Sequence, residues 1–320
     1  MKNKLLLLLF LLGVVFPLSA QESEVLISTS HTSLLLSTSQ GGELKFLYYG
    51  RKLTDADVHA IVSTESGSFS AYSVYGLNCP SESALSVQHE DGNMTLQMEV
   101  IGVETTHQEK ANLTVISLKD KVYPFYVKLC YKAYQDVDVI EAWTEISHKE
   151  KKNVKLNQFA SAYLPVRKGN VWLSSLYGAW ANEARLVQEP LEPGMKVIKN
   201  KDGVRNSHTA HAEVMFSLDG QPRENSGRVI GAALCYGGNY KLRIDTDESE
   251  YHHFYAGINE DNSVYHLKSG EVFKTPELAL TYSDEGLSGG SRNFHRWART
   301  YKLAYGDKRR KILLNCWDGV

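Results

Sequence analysis

Cysteine is scarce in this sequence, and its four cysteines lie far apart. They form no CxxC pair and have no histidine beside them at metal-ligand spacing. In an oxidising compartment they could pair in three ways, but a chain with ample core does not depend on disulfides. Three of them sit in apolar runs, which favours small buried side chains over bridges. The four are Cys79 and, in the apolar runs KLCY, ALCY and LLNCW, Cys130, Cys235 and Cys316.

Several motifs of strong specificity are also absent. The sequence has no phosphate-binding GxxxxGK loop, no dinucleotide fingerprint and no HExxH. A GxSxG nucleophile elbow is not expected either. The nearest metal-like patterns are His208 with His211, and His252 with His253. Two histidines three residues apart share a metal on a helix, whereas these are expected on a loop and on strands. We therefore predict neither a metal nor a cofactor.

Long hydrophobic runs are absent apart from one at the amino terminus. Lys2 and Lys4 precede an apolar run over residues 5–15 that ends in the small-residue sequence Leu18-Ser19-Ala20. This pattern predicts a signal peptide over residues 1–20, and hence a periplasmic or secreted protein. A membrane helix needs about 20 apolar residues, so no membrane association is expected. Without Lys2 and Lys4, 33 basic residues face 37 acidic ones, which gives no reason to expect nucleic-acid binding.

Strand-like alternation separated by short turns dominates the rest of the chain. Residues 125–134 and 139–146 have a period of two, typical of strands with one face on a core. One helix is expected, from about Gly289 to Tyr305, with Ser291 as its N-cap. A basic turn at residues 308–311 then leads into an apolar strand at residues 312–317. We predict an all-β fold, a large antiparallel two-sheet sandwich followed by this helix.

Paired carboxylates are what glycoside hydrolysis requires, because one transfers a proton while the other attacks or stabilises the developing cation. Spacing alone places no two acids across a sugar ring, so solvated positions on strands and turns are the favoured interpretation. The acids considered are Glu141, Glu145, Asp245, Asp247 and Glu277.

Two polar and aromatic segments are more informative than the acids. Residues 177–185, with Trp180 and Arg185, and residues 203–208 are predicted to be loop-like, with a ligand or interface role as one interpretation. The alternative is that Trp180 is a core residue and Arg205 an ordinary surface one.

At these segments the order and spacing resemble the amino-terminal domain of glycoside hydrolase family 36, the α-galactosidases. Eight pieces occur in family order and cover about two thirds of the chain. They are residues 139–146 with 156–162, 177–185, 203–208, 234–239, 257–259, 270–277, 289–295 and 312–318.

The resemblance implies a β-supersandwich over residues 21–288, followed by a helical linker and the first strand of a (β/α)8 barrel over residues 289–320. The family's catalytic aspartates lie further along the barrel and have no counterpart here. The chain is therefore expected to be an inactive fragment of an enzyme acting on terminal α-galactosides. The resemblance assigns substrate contact to Trp317, with Asp318 in place of the family's usual Glu.

The resemblance also implies a partner, since family members that oligomerise can present a sandwich-domain loop to a neighbour's active site. The corresponding residues 74–82 lack the Asp and Arg of the family's loop pattern, which puts that sugar contact in doubt. Homo-oligomerisation through the sandwich is still expected. Two alternatives stay open: a galactoside-binding module that uses Trp172, Trp180 and Tyr236, and a purely structural or assembly role.

Overall fold

A computed structural model describes residues 23–64, 69–76, 82–200, 202–203 and 208–314. It contains twenty strands and two α-helices, so the predicted all-β class is confirmed. Every strand pairing is antiparallel, and the strands form sheets of four, six and ten. Within the described residues no helix is both long and apolar enough to span a membrane.

The smallest sheet is built from the first part of the chain. Its strands, in spatial order, are β1 (Ser23–Ser28), β2 (Thr32–Thr38), β3 (Leu44–Arg51) and β4 (Phe69–Ser70). Helix α1 (Asp55–Thr64) lies between β3 and β4, and only Val58 of this helix is buried. Thr54 and Asp57 exchange hydrogen bonds at its start, in the manner of a capping box. The sequence analysis missed α1, because one buried residue gives no helical stripe.

The ten-stranded sheet forms one layer of the sandwich. Along its path the order is β12 (Asn182–Pro190), β11 (Trp172–Ala179), β14 (Ala210–Ser217), β15 (Val229–Leu234), β20 (Leu278–Ser283), β9 (Val139–His148), β8 (Phe125–Tyr134), β7 (Ala111–Asp120) and β6 (Met98–His107). The short β19 (Val272–Lys274) also pairs with β9. The strands predicted from alternation at β8 and β9 are confirmed.

The six-stranded sheet forms the opposing layer. Its path is β13 (Gly194–Lys199), β16 (Tyr240–Thr246), β17 (Tyr251–Ile258), β10 (Val154–Lys168) and β18 (Tyr265–Leu267), and β5 (Leu85–Gln88) pairs with β10. The long strand β10 bonds to β5 and β18 with its first half and to β17 with its second half.

Alternate side chains of both sheets meet in one continuous core. Phe216 of β14 and Phe254 of β17 are fully buried, and their rings meet edge to face with centroids 5.1 Å apart. The Thr144 hydroxyl of β9 donates a hydrogen bond to the Ser161 carbonyl of β10 at 3.0 Å, which satisfies two buried polar groups between the layers. The predicted two-sheet sandwich is thus present, with the four-stranded sheet as an addition that shares the core.

The predicted carboxy-terminal helix is present, but it starts earlier than expected. Helix α2 (Gly286–Trp297) begins at Gly286 and continues as a π-helical turn over Ala298–Lys302. Ser291 is not its N-cap, and the residue at that position, Glu285, makes no side-chain capping bond. Backbone carbonyls of residues 223, 224 and 227 accept the free N–H groups of residues 287, 288 and 286 instead. Tertiary contact therefore replaces the cap that the sequence was expected to supply.

Two glycines allow α2 to lie where it does. Gly286 has a φ of +66°, and a Cβ there would lie 2.5 Å from the Arg223 carbonyl oxygen. A Cβ on Gly231 of β15 would lie 2.8 Å from the ring of Phe294, so this glycine leaves the space that the aromatic ring fills. The helix consequently lies close against the face of the ten-stranded sheet that points away from the sandwich core.

The strand expected at residues 312–317 is not formed in its described part, because residues 311–314 have no regular secondary structure. Ile312, Leu313 and Leu314 are 101%, 90% and 82% exposed. A strand without a neighbour leaves its backbone groups unpaired, which explains why this apolar segment forms none here. The rest of the predicted strand lies outside the described residues.

We expect Phe216→Ala to lower the free energy of unfolding by about 3–5 kcal/mol, since it removes a ring that bridges the two layers and leaves a cavity. Denaturant unfolding followed by tryptophan fluorescence measures the change. Val122→Ala is the control, because that side chain is 73% exposed and its truncation should shift stability by less than about 0.5 kcal/mol. Equal effects of the two substitutions would contradict the assigned core.

Candidate functional site

The two residues assigned to substrate contact by family resemblance, Trp317 and Asp318, lie outside the described residues. The same holds for residues 77–81 of the loop compared with the family's oligomer loop, and for Cys79 and Cys316. Their roles stay predictions, and the site must be sought among the described side chains.

The acids proposed as solvated residues divide into two groups. Glu145, Asp245, Asp247 and Glu277 are half-buried, whereas Glu141 of β9 is only 2% exposed. Its carboxylate accepts a hydrogen bond from the Tyr134 hydroxyl at 2.7 Å and forms an ion pair with Lys302. The expectation of a solvated Glu141 was wrong, because the π-helical end of α2 covers this part of the sheet.

Glu141 and Glu277 both lie near Lys302, and this pair is poorly suited to hydrolysis. Burial raises the pKa of Glu277. The hydrogen bond and charge of Lys274, a backbone N–H bond and the more distant Lys302 together outweigh burial and leave the pKa below the usual range. A general acid for glycoside cleavage needs the opposite shift. Glu141 is committed to holding the end of α2 in place, with Tyr301 bonded to Asp136 beside it.

The histidines are used for structure. His252 and His253 of β17 are buried, where His253 contacts the Tyr163 hydroxyl at 2.8 Å and Asp247 at 3.1 Å. His208 is exposed and His211 half-buried. Within the described residues no three metal-ligating side chains come together.

Residues 177–185, predicted to be a loop, form a β-hairpin instead. Strands β11 and β12 pair along their length, and Trp180 and Ala181 form the turn. Gly178 is required there, since a Cβ would lie 2.6 Å from the Glu183 Cα. The loop prediction failed because its Gly, Ala and Asn residues are as common in tight turns as in loops.

This hairpin, which we call the arm (residues 172–190), is unusually open to solvent. Eight of the nine residues of β12 are exposed, Trp180 at the tip is 83% exposed, and Leu186 is 57% exposed. Strand β12 is also an edge of its sheet. Exposed apolar side chains on a projecting sheet edge are typical of a contact surface. The predicted core position of Trp180 is excluded.

The three aromatic residues proposed to bind sugar do not form one platform. Trp172 and Trp180 lie at opposite ends of the arm, roughly 25 Å apart at about 3.3 Å per strand residue. Trp172 and Tyr236 are half-buried. A single sugar ring cannot stack on this set, so the binding-module alternative has no support from these residues.

A groove of about 500 Å³ opens between α2 and the arm. Leu176 and Leu186 of the arm form one wall. The rest of the apolar lining consists of Val214, Met215, Leu287 and Phe294. The polar side chains that line the groove are Ser174, Ser175, Glu213, Glu224, Ser288, Ser291, Arg292 and His295. This volume is within the range of small-molecule sites in proteins.

The expectation that the chain has no GxSxG nucleophile elbow was wrong, because one such pattern lies at the groove. Gly286-Leu-Ser-Gly-Gly290 fits the GxSxG spacing of a nucleophile elbow and follows a strand. In the structure Ser288 lies inside α2, and its hydroxyl bonds to Glu224. No described histidine bonds to this serine, so the activating base of a hydrolytic triad is not in place.

Comparisons with known proteins agree with this architecture. The family model for the glycosyl hydrolase family 36 N-terminal domain matches residues 42–268. The α-galactosidase Mel36A of Lactobacillus acidophilus is 31% identical over 218 residues, which are 68% of this chain and 30% of that protein. The bifunctional α-galactosidase/sucrose kinase AgaSK of Mediterraneibacter gnavus is 26% identical over 92% of this chain and 35% of its own length.

A solved structure extends the likeness to the fold. The family 36 α-galactosidase AgaB of Geobacillus stearothermophilus matches with a TM-score of 0.82 and 24% identity, over 95% of this chain and 46% of that one. At this identity the match establishes the fold alone. The chain spans only about 30–35% of the length of the curated relatives described above.

Cys235 gives a chemical probe of the surface beside Lys302. It was expected to be buried but is exposed, because its side chain points away from the core after the buried Leu234 that ends β15. Burial of the sulfur among its neighbours nevertheless raises the pKa of Cys235 to about 11, and the pKa of the fully buried Cys130 to about 12.

In a Cys79→Ser/Cys316→Ser background, maleimide labelling of Cys235 should be slow at pH 8. Only the thiolate reacts, so a pKa near 11 leaves the rate at pH 8 about two hundredfold below that of an ordinary thiol, whose pKa is about 8.5. The rate should rise about tenfold per pH unit between pH 7 and 9. Cys235→Ser should abolish native labelling, and Cys130 should react only after unfolding. A rate that levels off near pH 8.5 would contradict the raised pKa.

Proposed function

Since this chain belongs to glycosyl hydrolase family 36 through its N-terminal domain, we propose that it supports a catalytic domain acting on α-galactosides and does not itself cleave them. The proposal includes export, for which Lys2, Lys4 and the apolar run of residues 5–15 are the support.

One observation carries the supporting role: three successive apolar side chains, Ile312, Leu313 and Leu314, are almost fully exposed after the turn-rich segment 303–311 that follows α2 and its π-helical end. Full burial of one such side chain is worth about 1.5–3 kcal/mol, so a protein surface that covers the three is strongly favoured. The relatives Mel36A and AgaSK have about two thirds of their length outside the matched region. We propose that a catalytic domain, in the position of the unmatched part of these relatives, covers the three exposed side chains.

The acids of the chain support the absence of turnover. Glu141 is held by Tyr134 and Lys302, and Glu277 has a lowered pKa where a proton donor needs a raised one. Neither acid is arranged to transfer a proton to a glycosidic oxygen.

The exposed arm supports self-association as the partner interaction. Trp180 and Leu186 present apolar surface on both sides of a hairpin whose second strand is open to solvent. Large aromatic side chains of this kind contribute most of the binding energy in protein interfaces. A second copy of the chain is the proposed partner, in keeping with the sandwich-mediated assembly expected from the family resemblance.

The purified chain should show no turnover of a nitrophenyl α-galactoside above the buffer rate, with an active family 36 enzyme as the positive control. Turnover that disappears in Glu141→Gln or Glu277→Gln would overturn the supporting role. Turnover unchanged in both variants but lost in Glu213→Gln would place the chemistry in the groove and overturn it equally.

Sedimentation should show the chain associating, and Trp180→Ser/Leu186→Ser should weaken association about thirtyfold, as expected for the loss of about 2 kcal/mol. Ile101→Ser/Val122→Ser is the matched control, since both side chains are exposed far from the arm. A wild-type chain that sediments as a monomer at every concentration would rule out the arm as an interface, without bearing on the catalytic proposal.

A further inference from the structure

The groove between α2 and the arm carries hydrogen-bonding groups that the fold leaves unused. Within the described residues, Glu213 and Ser291 make no side-chain hydrogen bond, and the His295 ring makes none. His211 lies beside Glu213, but its Nδ1 is 3.9 Å from the carboxylate, too far for a hydrogen bond. One carboxylate, one hydroxyl and one imidazole therefore line the same groove, and each can form hydrogen bonds with a ligand there.

Most other polar groups of the groove are already engaged; within the described residues the exception is the buried Ser175 hydroxyl, which has no hydrogen-bond partner. Arg292 pairs with Glu285 at 2.6 Å, Ser288 bonds to Glu224, and the Ser174 hydroxyl accepts a bond from Gln188 at 3.3 Å. With Arg292 neutralised and two carboxylates in the lining, the groove repels anions. A phosphorylated or sulfated ligand is accordingly excluded.

The apolar part of the lining restricts the ligand further. Leu176, Leu186 and Met215 lie opposite the helix, and Phe294 contributes part of an aromatic ring. An entirely apolar ligand would take Glu213 out of water with no partner, which costs several kcal/mol. The ligand must therefore combine apolar patches with many hydroxyl groups.

We propose that this groove binds a neutral oligosaccharide. Sugar rings present C–H faces to Leu186, Met215 and Phe294, while their hydroxyls donate to Glu213 and exchange hydrogen bonds with Ser291 and His295. The volume of about 500 Å³ accommodates more than one ring. The site lies on the sandwich and does not depend on whether a catalytic domain follows. It shares only Leu186 with the proposed arm interface, and the groove variants below leave Leu186 in place.

The two walls of the groove belong to elements held in different ways. Helix α2 is fixed at its start by the carbonyls of residues 223–227 and at its end by the Lys302–Glu141 ion pair. Among the described strands the arm pairs with β14 alone, and its second strand β12 has no further strand beside it. A ligand that spans both walls should therefore reduce amide hydrogen exchange in the arm.

Calorimetric titration of the chain with melibiose, raffinose and maltose tests the proposal. Binding heat is expected at millimolar ligand for at least one of the three sugars. Glu213→Ala/His295→Ala should weaken that binding by at least tenfold, because it removes one carboxylate and one imidazole that hydrogen-bond the sugar from exposed positions. Ser291→Trp, which fills the groove, should abolish it.

Glu104→Ala/His107→Ala is the matched control. It removes the same two residue types from exposed positions on β6, at the opposite edge of the ten-stranded sheet, and should leave binding unchanged. The absence of heat with all three sugars overturns the proposal, as does wild-type affinity in the groove variants. Tighter binding of maltose than of melibiose would still support the groove as a saccharide site, but it would show that the groove does not prefer galactose.

Discussion

The packing of the ten-stranded sheet against the six-stranded sheet is the interaction on which the other features of the molecule depend. The rings of Phe216 and Phe254 meet across the interface. The buried Thr144 hydroxyl donates to the Ser161 carbonyl, so neither polar group is left without a partner in the apolar core. Because side chains alternate along each strand, packing one face into this core leaves the other face free. Helix α2, the groove and the arm all lie on or beside that free face of the larger sheet.

Helix α2 has its position fixed by contacts at both ends. Its first N–H groups are satisfied by the backbone of residues 223–227, and Gly286 permits the close approach that this requires. At the other end Lys302 pairs with the buried Glu141, and loss of either partner would leave a charge uncompensated. This fixed helix sets the width of the groove and directs residues 312–314 away from the sandwich.

Much of the fold could be predicted from the chain alone. The strands β8 and β9, with strict alternation, were predicted close to their observed bounds, and α2 was predicted within a few residues of its start. The misses have physical causes. Helix α1 buries only Val58, so it has no stripe to detect, and the arm contains small residues that fit a loop as well as a tight hairpin. The family resemblance supplied the domain type, which the matched relatives confirm.

The candidate site was much less predictable. Glu213, Ser291 and His295 come from a strand and a helix separated by some eighty residues, and no spacing rule brings them together. Composition and alternation by themselves determined the all-β class and the two-layer architecture, since these depend on local periodicity. The family followed from the resemblance of ordered segments to a known domain, which the matching family model bears out. Only the tertiary structure decided that Glu141 is buried, that Cys235 is exposed and that a groove opens beside α2. Those outcomes depend on which distant segments pack over a given strand face, and local sequence patterns do not specify such long-range contacts.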